Sequence, residues 1–65
     1  MKNYILVRDA ITDGLIVIKK DMICTVEACR KYDQDVSLIT FTDCRREKYV
    51  KNDLLSILQD LNTVD

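Results

Sequence analysis

Side chains that carry enzymatic chemistry are few in this chain. The 65 residues contain no histidine, three cysteines and one glycine, Gly14. Because histidine is the side chain that titrates nearest to neutral pH, its absence removes the usual proton shuttle and excludes Cys–His and Ser–His pairs. Asp33 and Asp35 could pair as carboxylates, but aspartates in so polar a segment are typical of a solvated turn. Since a phosphate-binding loop also needs several glycines, we expect no enzymatic activity and no cofactor.

The cysteines are the remaining candidates for metal binding or redox chemistry. Cys24, Cys29 and Cys44 lack the closely spaced pairs of structural zinc sites. Cys24 and Cys29 are an odd number of residues apart, so they would face opposite sides of a regular strand. An odd number of cysteines also leaves one thiol over in an internal disulfide framework. We expect no metal site and no internal disulfide, and a disulfide between chains, formed on oxidation, remains an alternative.

Length and composition indicate one small globular domain covering residues 1–65. Hydrophobic residues make up 48% and charged residues 32% of the chain, and the net charge is −1. Most nucleic-acid binders carry an excess of basic residues, because phosphate contacts supply much of their affinity. This chain has no such excess. Apolar runs fall far short of the roughly 20 residues that span a bilayer, and residues 1–7 are too short for a signal peptide. We therefore expect a cytoplasmic protein that does not bind membranes.

Short apolar and alternating segments predict five strands. The strands are predicted at residues 4–7, 15–18, 22–28, 36–42 and 47–50. The Asp13-Gly14 pair is the strongest turn signal, because a type I′ turn needs positive φ at both central residues. Residues 30–35 are predicted as a charged loop.

Two of the predicted strands carry information about their faces. In residues 22–28, strict alternation predicts that Met22, Cys24, Val26 and Ala28 share one face. The strand at 36–42 has apolar side chains on both faces, which predicts a central position in the sheet.

The C-terminal segment predicts a helix with a wide apolar stripe. Asn52 and Asp53 suit the start of a helix, since either side chain can accept a hydrogen bond from the first turn. The stripe either covers the open end of the sheet or meets a second subunit, because a chain of this size has a thin core. We expect any self-association to use the five apolar residues of this helix, which are Leu54, Leu55, Ile57, Leu58 and Leu61.

Basic residues are predicted to gather at one end of the sheet. Successive turns of a meander alternate between its two ends, so the turns at residues 19–20 and 45–46 would lie together. The turns at residues 13–14 and 33–35, which carry aspartates, would lie together at the opposite end, so the molecule would be charge-polarised. The basic end could bind an acidic partner, although charged turns are also typical of ordinary solvated hairpins and guarded edges. The predicted partner-binding residues are Lys19, Lys20, Arg45, Arg46 and Lys48.

The order of these elements resembles the small SH3-like barrel proteins of phages and prophages of Gram-positive bacteria. The likeness spans roughly residues 15–58 and is carried by KKDMICTV at 19–26, SLITFTD at 37–43 and YVKNDLL at 49–55. Asp21 stands where those proteins usually have glycine, and the C-terminal helix is longer than a barrel's final turn. The expected fold is therefore mainly β with a C-terminal helix, either a small SH3-like barrel or a strongly bent five-stranded antiparallel meander.

This resemblance implies a function without enzymatic activity. We expect a protein-interaction module, a phage or prophage accessory protein that binds a host or viral protein or forms a homo-oligomer in the host cytoplasm. The alternative is a small nucleic-acid-binding barrel that uses the basic residues. The acidic pI of about 5.2 and the scarcity of aromatic side chains for base stacking count against it.

Overall fold

A computed structural model describes residues 3–43 and 45–62 of the chain. The mainly β fold with a C-terminal helix is confirmed. The elements, in chain order, are β1 (Tyr4–Arg8), β2 (Leu15–Lys19), a 3₁₀ turn (Lys20–Met22), β3 (Ile23–Lys31), β4 (Gln34–Phe41), β5 (Glu47–Val50) and α1 (Leu54–Leu61).

The five strands form two antiparallel sheets that meet at one bridge. One sheet pairs β1 with β2, and the other has the order β3-β4-β5, which confirms the central position of β4. Asp9, just after β1, bridges to Val50 of β5. The amide of Lys51 donates to the carbonyl of Arg8, and the amide of Ala10 donates to the carbonyl of Tyr49. The described strands therefore run in the order β3-β4-β5-β1-β2, as a bent arrangement and not a closed barrel.

The hairpin between β3 and β4 turns through two residues without glycine. Tyr32 and Asp33 have φ of 56° and 57°, the signs that a type I′ turn requires, and Lys31 pairs with Gln34 on either side. The prediction of a loop over residues 30–35 is therefore wrong, since both strands continue into that segment. An ion pair of 3.0 Å between Arg30 and Asp35 links the strands across it.

The connection between β1 and β2 is longer than the predicted tight turn. It comprises residues 9–14, and of its two predicted turn residues Asp13 has a positive φ of 63° while Gly14 does not. Asp9 organises this loop, because its carboxylate accepts from the amides of Ile11 at 2.7 Å and Thr12 at 3.0 Å. The type I′ interpretation of Asp13-Gly14 is thus wrong.

A β-bulge interrupts the predicted alternation in β3. The register with β4 shifts between Ile23 and Thr25, so that Cys24 is the extra residue. Ile23 and Val26 pack against the core, whereas Cys24 and Ala28 are exposed. The predicted common face of Met22, Cys24, Val26 and Ala28 is wrong for its first half. Val26 and Ala28 follow the bulge and still share a face, whereas the bulge moves Cys24 out of phase with them and Met22 lies in the 3₁₀ turn.

The core is small and lies between the β1–β2 hairpin, the three-stranded sheet and α1. Its buried members are Ile5, Val7, Ile18, Ile39, Val50 and Ile57. Asp53 starts the helix by accepting a hydrogen bond from the Ser56 amide. Burial of few large side chains is what a chain of 65 residues allows.

Candidate interaction surfaces

Asp9 is the most strongly held charge among the described residues. Besides the two amides of its own loop, it receives a contact of 2.6 Å from the Lys48 ammonium, and its side chain is 8% exposed. The hydrogen bond from Lys48 is the largest cause that lowers the pKa of Asp9 from 3.8 to about 2, and the Thr12 and Ile11 amides lower this pKa further. Because Asp9 lies at the bridge to Val50, this cluster supports the junction of the two sheets.

Lys48 is therefore placed differently from the other predicted partner-binding cations. Its ammonium contacts the loop that follows β1, whereas Lys19 and Arg46 line a groove at the far end of β2. A lysine that already pairs with a nearly buried carboxylate has little charge to offer a partner. The predicted link from Lys48 to the basic turns is not what the geometry shows.

The predicted basic end is largely compensated by its own aspartates. Lys19 lies 3.9 Å from Asp21, and Arg46 lies 3.9 Å from Asp43. Asp43 also accepts from the amides of Arg45 and Arg46, at 3.0 Å and 3.3 Å. Lys20 is half-buried and lines a different cavity from Lys19. The structure thus brings Lys19 and Arg46 together but gives them acidic neighbours.

The opposite end, predicted to be acidic, also mixes both signs. Asp13 accepts from the Lys51 ammonium at 2.9 Å and lies 3.9 Å from the Arg8 guanidinium. The hydrogen bond from Lys51 is the main reason that the pKa of Asp13 lies below its usual value. Nearby, the Lys31 ammonium lies 5.3 Å from the centre of the Tyr49 ring. The charge separation predicted between the two ends is consequently weak.

The helix divides its five predicted apolar residues between two faces. Ile57 is fully buried, and Leu54 and Leu61 are partly buried on either side of it. Leu55 is 73% exposed and Leu58 is 49% exposed. The sequence predicts Leu54, Leu58 and Leu61 at the centre of the stripe and Ile57 at its side. In the structure Ile57 is the most buried of the five, while Leu58 is half-exposed. Two of the five predicted residues remain accessible to a partner.

The outer face of the β1–β2 hairpin is an apolar surface that the sequence prediction missed. Ile5 and Val7 point into the core, so Tyr4 and Leu6 lie on the opposite, exposed face of β1. Leu6 is opposite Val17, and the exposed face continues to Leu15, which is 61% exposed. We name this surface, made of Tyr4, Leu6, Leu15 and Val17, the hairpin face. The runs at residues 4–7 and 15–18 could have indicated it. They are apolar throughout, and successive residues of a strand face opposite sides, so both sides of this hairpin must be apolar.

Two shallow cavities flank the hairpin and the helix. One, of about 250 Å³, lies between β3 and α1 and includes Cys24, Leu54 and Leu58. The other, of about 280 Å³, runs beside β2 and includes Ile16, Ile18, Met22 and Phe41, with Arg46 at its rim. We name the second cavity the β2 groove.

The thiols add no metal centre within the described part of the chain. Cys24 and Cys29 are free, and Cys44 lies outside the described residues. Residues 3–43 and 45–62 hold no group of three or more cysteine, aspartate or glutamate side chains placed to bind a metal ion.

No protein-family model, curated protein or solved structure matches this chain. Within the described residues, no helix has the length and apolar character needed to cross a membrane.

Proposed function

We propose that this protein is a non-enzymatic protein-interaction module, an accessory protein of phage or prophage type, and that the hairpin face is its main binding surface. The observation that carries the proposal is the exposure of Tyr4, Leu6, Leu15 and Val17 at 43%, 44%, 61% and 54% on one side of a two-stranded sheet. Contiguous exposed apolar surface on a soluble domain is typical of a protein–protein contact.

The charges of the molecule support an apolar contact more than an electrostatic one. Lys19 and Arg46 have aspartates within 4.0 Å, so their field at a distance is reduced. Exposed pairs of this kind contribute little affinity, although they tune the rate of encounter. The basic residues then act at the rim of the interface, near the end of β2 that Lys19 occupies.

The same observation weighs against the nucleic-acid alternative. A phosphate-binding surface needs several uncompensated cations, and single strands also need aromatic platforms. The described aromatic pair, Tyr32 and Tyr49, packs edge to face at 5.9 Å between ring centres, at the end of the sheet away from Lys19 and Arg46. We therefore keep protein as the proposed partner class.

The test compares two leucine substitutions of the same chemistry. Leu6→Lys places a charge in the hairpin face, while Leu55→Lys places the same charge on the exposed side of α1. The wild-type protein and the Leu55→Lys variant, each immobilised, should capture the partner protein from nuclease-treated host lysate. The immobilised Leu6→Lys variant should not capture it. Circular dichroism confirms that each variant is folded.

Two results would contradict the proposal. Loss of the partner in Leu55→Lys but not in Leu6→Lys would assign the contact to the helix. Binding to DNA below about 1 μM near physiological salt, tighter than ordinary non-specific binding, would favour the nucleic-acid alternative.

A further inference from the structure

The strand order leaves β2 as an outer edge, and the hydrogen bonds show which of its backbone groups are unpaired. The Asp9 amide donates to the Gly14 carbonyl, and the Lys20 amide donates to the Asn3 carbonyl, both at 2.8 Å. In an antiparallel pair, alternate residues of a strand bond to the neighbouring strand, so positions 14, 16, 18 and 20 face β1. Residues 15, 17 and 19 therefore point their N–H and C=O groups away from β1. Within residues 3–43 and 45–62, the outward groups of Leu15 and Val17 and the outward N–H of Lys19 have no partner strand and no turn or loop hydrogen bond. The Lys19 carbonyl differs, because it stands at the start of the 3₁₀ turn and accepts the first hydrogen bond of that turn.

This edge has little of what normally prevents strand pairing, since its one protective charge, Lys19, stands at its end. β2 has the sequence LIVIK, with one charge, at its last residue, and neither proline nor a bulge. Edge strands of soluble proteins usually carry inward charges, prolines or bulges. An exposed apolar edge without them is a template for an added strand.

We propose that the β2 edge pairs with the β2 edge of a second copy of this chain, in an antiparallel two-fold arrangement centred on Val17. The proposal rests on the proposed function as an interaction module and names the partner for this edge. Its basis is that β2 is complementary to itself. With Val17 opposite Val17 of the other copy, Leu15 lies opposite Lys19, and the outward N–H of each of the three residues finds a carbonyl of the other copy, the Lys19 carbonyl being shared with its own 3₁₀ turn.

This register forms the largest number of hydrogen bonds available to five residues. Three facing pairs with two bonds each give about six hydrogen bonds, two of them to Lys19 carbonyls that also accept within the 3₁₀ turns, whereas a shift by two residues loses one pair. Like charges are not opposed, because the two Lys19 residues lie at opposite ends of the paired strands. The stem of each lysine covers the Leu15 side chain opposite it.

Both faces of the resulting four-stranded ribbon bury apolar groups. On the outer face, the two hairpin faces become one continuous surface across the Val17 pair. On the inner face, Ile16 lies opposite Ile18 of the second copy, beside the β2 groove with its Phe41 and Met22. Added backbone pairing together with apolar burial is the combination that strand addition uses for affinity.

Proline scanning tests the pairing without disturbing the sheet. Proline removes one N–H, so it is tolerated in an edge strand where that N–H points outward. Val17→Pro removes an outward N–H of β2. Ala28→Pro is the matched control, since Ala28 is exposed and its pairing with Ser37 points its N–H away from β4.

Analytical ultracentrifugation over about 10–500 μM gives the answer, a range that covers weak homodimers. We expect dimers in the wild type and in Ala28→Pro, and at least about tenfold weaker association in Val17→Pro. Val17→Lys, which opposes two ammonium groups on the two-fold axis and keeps the backbone intact, gives the same readout if Val17→Pro does not fold.

The outcomes separate this inference from the proposed function. A wild type that stays monomeric to about 500 μM, or Val17→Lys dimers as tight as the wild type, would overturn the pairing. In either case, if the Leu6→Lys variant no longer captured a host protein that the wild type captures, the hairpin face would still be supported as a binding surface. Dimers in which Ala28→Pro and not Val17→Pro weakens association would move the contact to β3.

Discussion

The two outer strands of this protein, β2 and β3, differ in every feature that governs pairing with another chain. β3 has nine residues, a bulge at Cys24 and three charged side chains, Glu27, Arg30 and Lys31. β2 has five residues, is regular, and carries its one charge at the end. A bulge twists an edge and charges resist the approach of a second apolar strand. The comparison indicates that β3 is protected and that β2 is available for binding.

The strands β2 and β3 should unfold together as one cooperative unit. The Ile57→Ala substitution tests this with the largest expected loss of stability. The helix packs against β1 and β3, and its Ile57 side chain is fully buried. Ile57→Ala should lower the free energy of unfolding by about 2–5 kcal/mol, because it removes buried methyl groups and leaves a cavity. Chemical denaturation followed by circular dichroism measures the loss.

Leu58→Ala is the control, since Leu58 is 49% exposed, and it should cost clearly less. Equal losses for the two variants would mean that the helix packs through the side that the sequence stripe favoured.

Substitution of Asp9 should have the next largest effect on stability, because Asp9 lies where the sheet that contains β2 meets the sheet that contains β3. Lys48 and two amides lower the pKa of Asp9 to about 2. A carboxyl whose pKa is lower in the folded than in the unfolded state stabilises the fold above the unfolded value near 3.8, and this contribution is lost as the pH falls towards 2. Asp9→Asn should therefore reduce stability at pH 7 and flatten its dependence on pH between about 4 and 2.

Thermal unfolding at a series of pH values measures this dependence, and Asp35→Asn, an exposed carboxyl paired with Arg30, is the control. An Asp9→Asn profile parallel to that of the wild type would show that Lys48 and Asp9 are not coupled in solution.

Opposite charges introduced at Val17, the centre of β2, test whether two copies pair through this edge. Val17→Lys and Val17→Glu should each be monomeric, because like charges face each other on the two-fold axis. Mixed in equal amounts they should form a heterodimer, since opposite charges then face each other. Native mass spectrometry distinguishes the species. The pair Thr25→Lys and Thr25→Glu, on β3, should show no preference for heterodimers. A heterodimer formed only by mixing these two variants would show that the copies pair through β3.

The smallest effect separates the two hairpin connections. Asp33 adopts a φ of 57°, so Asp33→Gly should stabilise the protein by up to about 1 kcal/mol through relief of backbone strain. Gly14 has no positive φ, and an added Cβ would lie 3.3 Å from the Thr12 Oγ1, a tight contact that the exposed Thr12 side chain can relieve by a small shift. Gly14→Ala should thus change the melting temperature little. A large loss in Gly14→Ala with no gain in Asp33→Gly would reverse the assignment of the two turns.

Sequence patterns predicted the elements well but not their phase. Apolar runs, the Asp53 cap and the central position of β4 follow from local preferences and burial, which are properties of short segments. The bulge at Cys24 changes which residues of β3 face the core, and no residue type marks it. The helix stripe was wide enough that either Ile57 or Leu58 could face the sheet.

The candidate surfaces were less predictable, because they depend on contacts between distant segments. The pairing of Lys48 with Asp9 joins β5 to a loop 39 positions earlier in the chain, and this pairing removes Lys48 from the basic end. The hairpin face depends on which side of β1 meets the core: Ile5 and Val7 are buried, so Tyr4 and Leu6 lie outside.

Amide hydrogen exchange of the wild type at low and high protein concentration tests the difference between the two edges most directly. The outward amides are those of Leu15, Val17 and Lys19 on β2, and those of Val26, Ala28 and Arg30 on β3. We expect exchange at the three β2 amides to slow as concentration rises, because they become hydrogen-bonded to a second copy, while exchange at the β3 amides stays fast. Slowing at the β3 amides, or no change at the β2 amides in a range where the protein dimerises, would contradict this expectation.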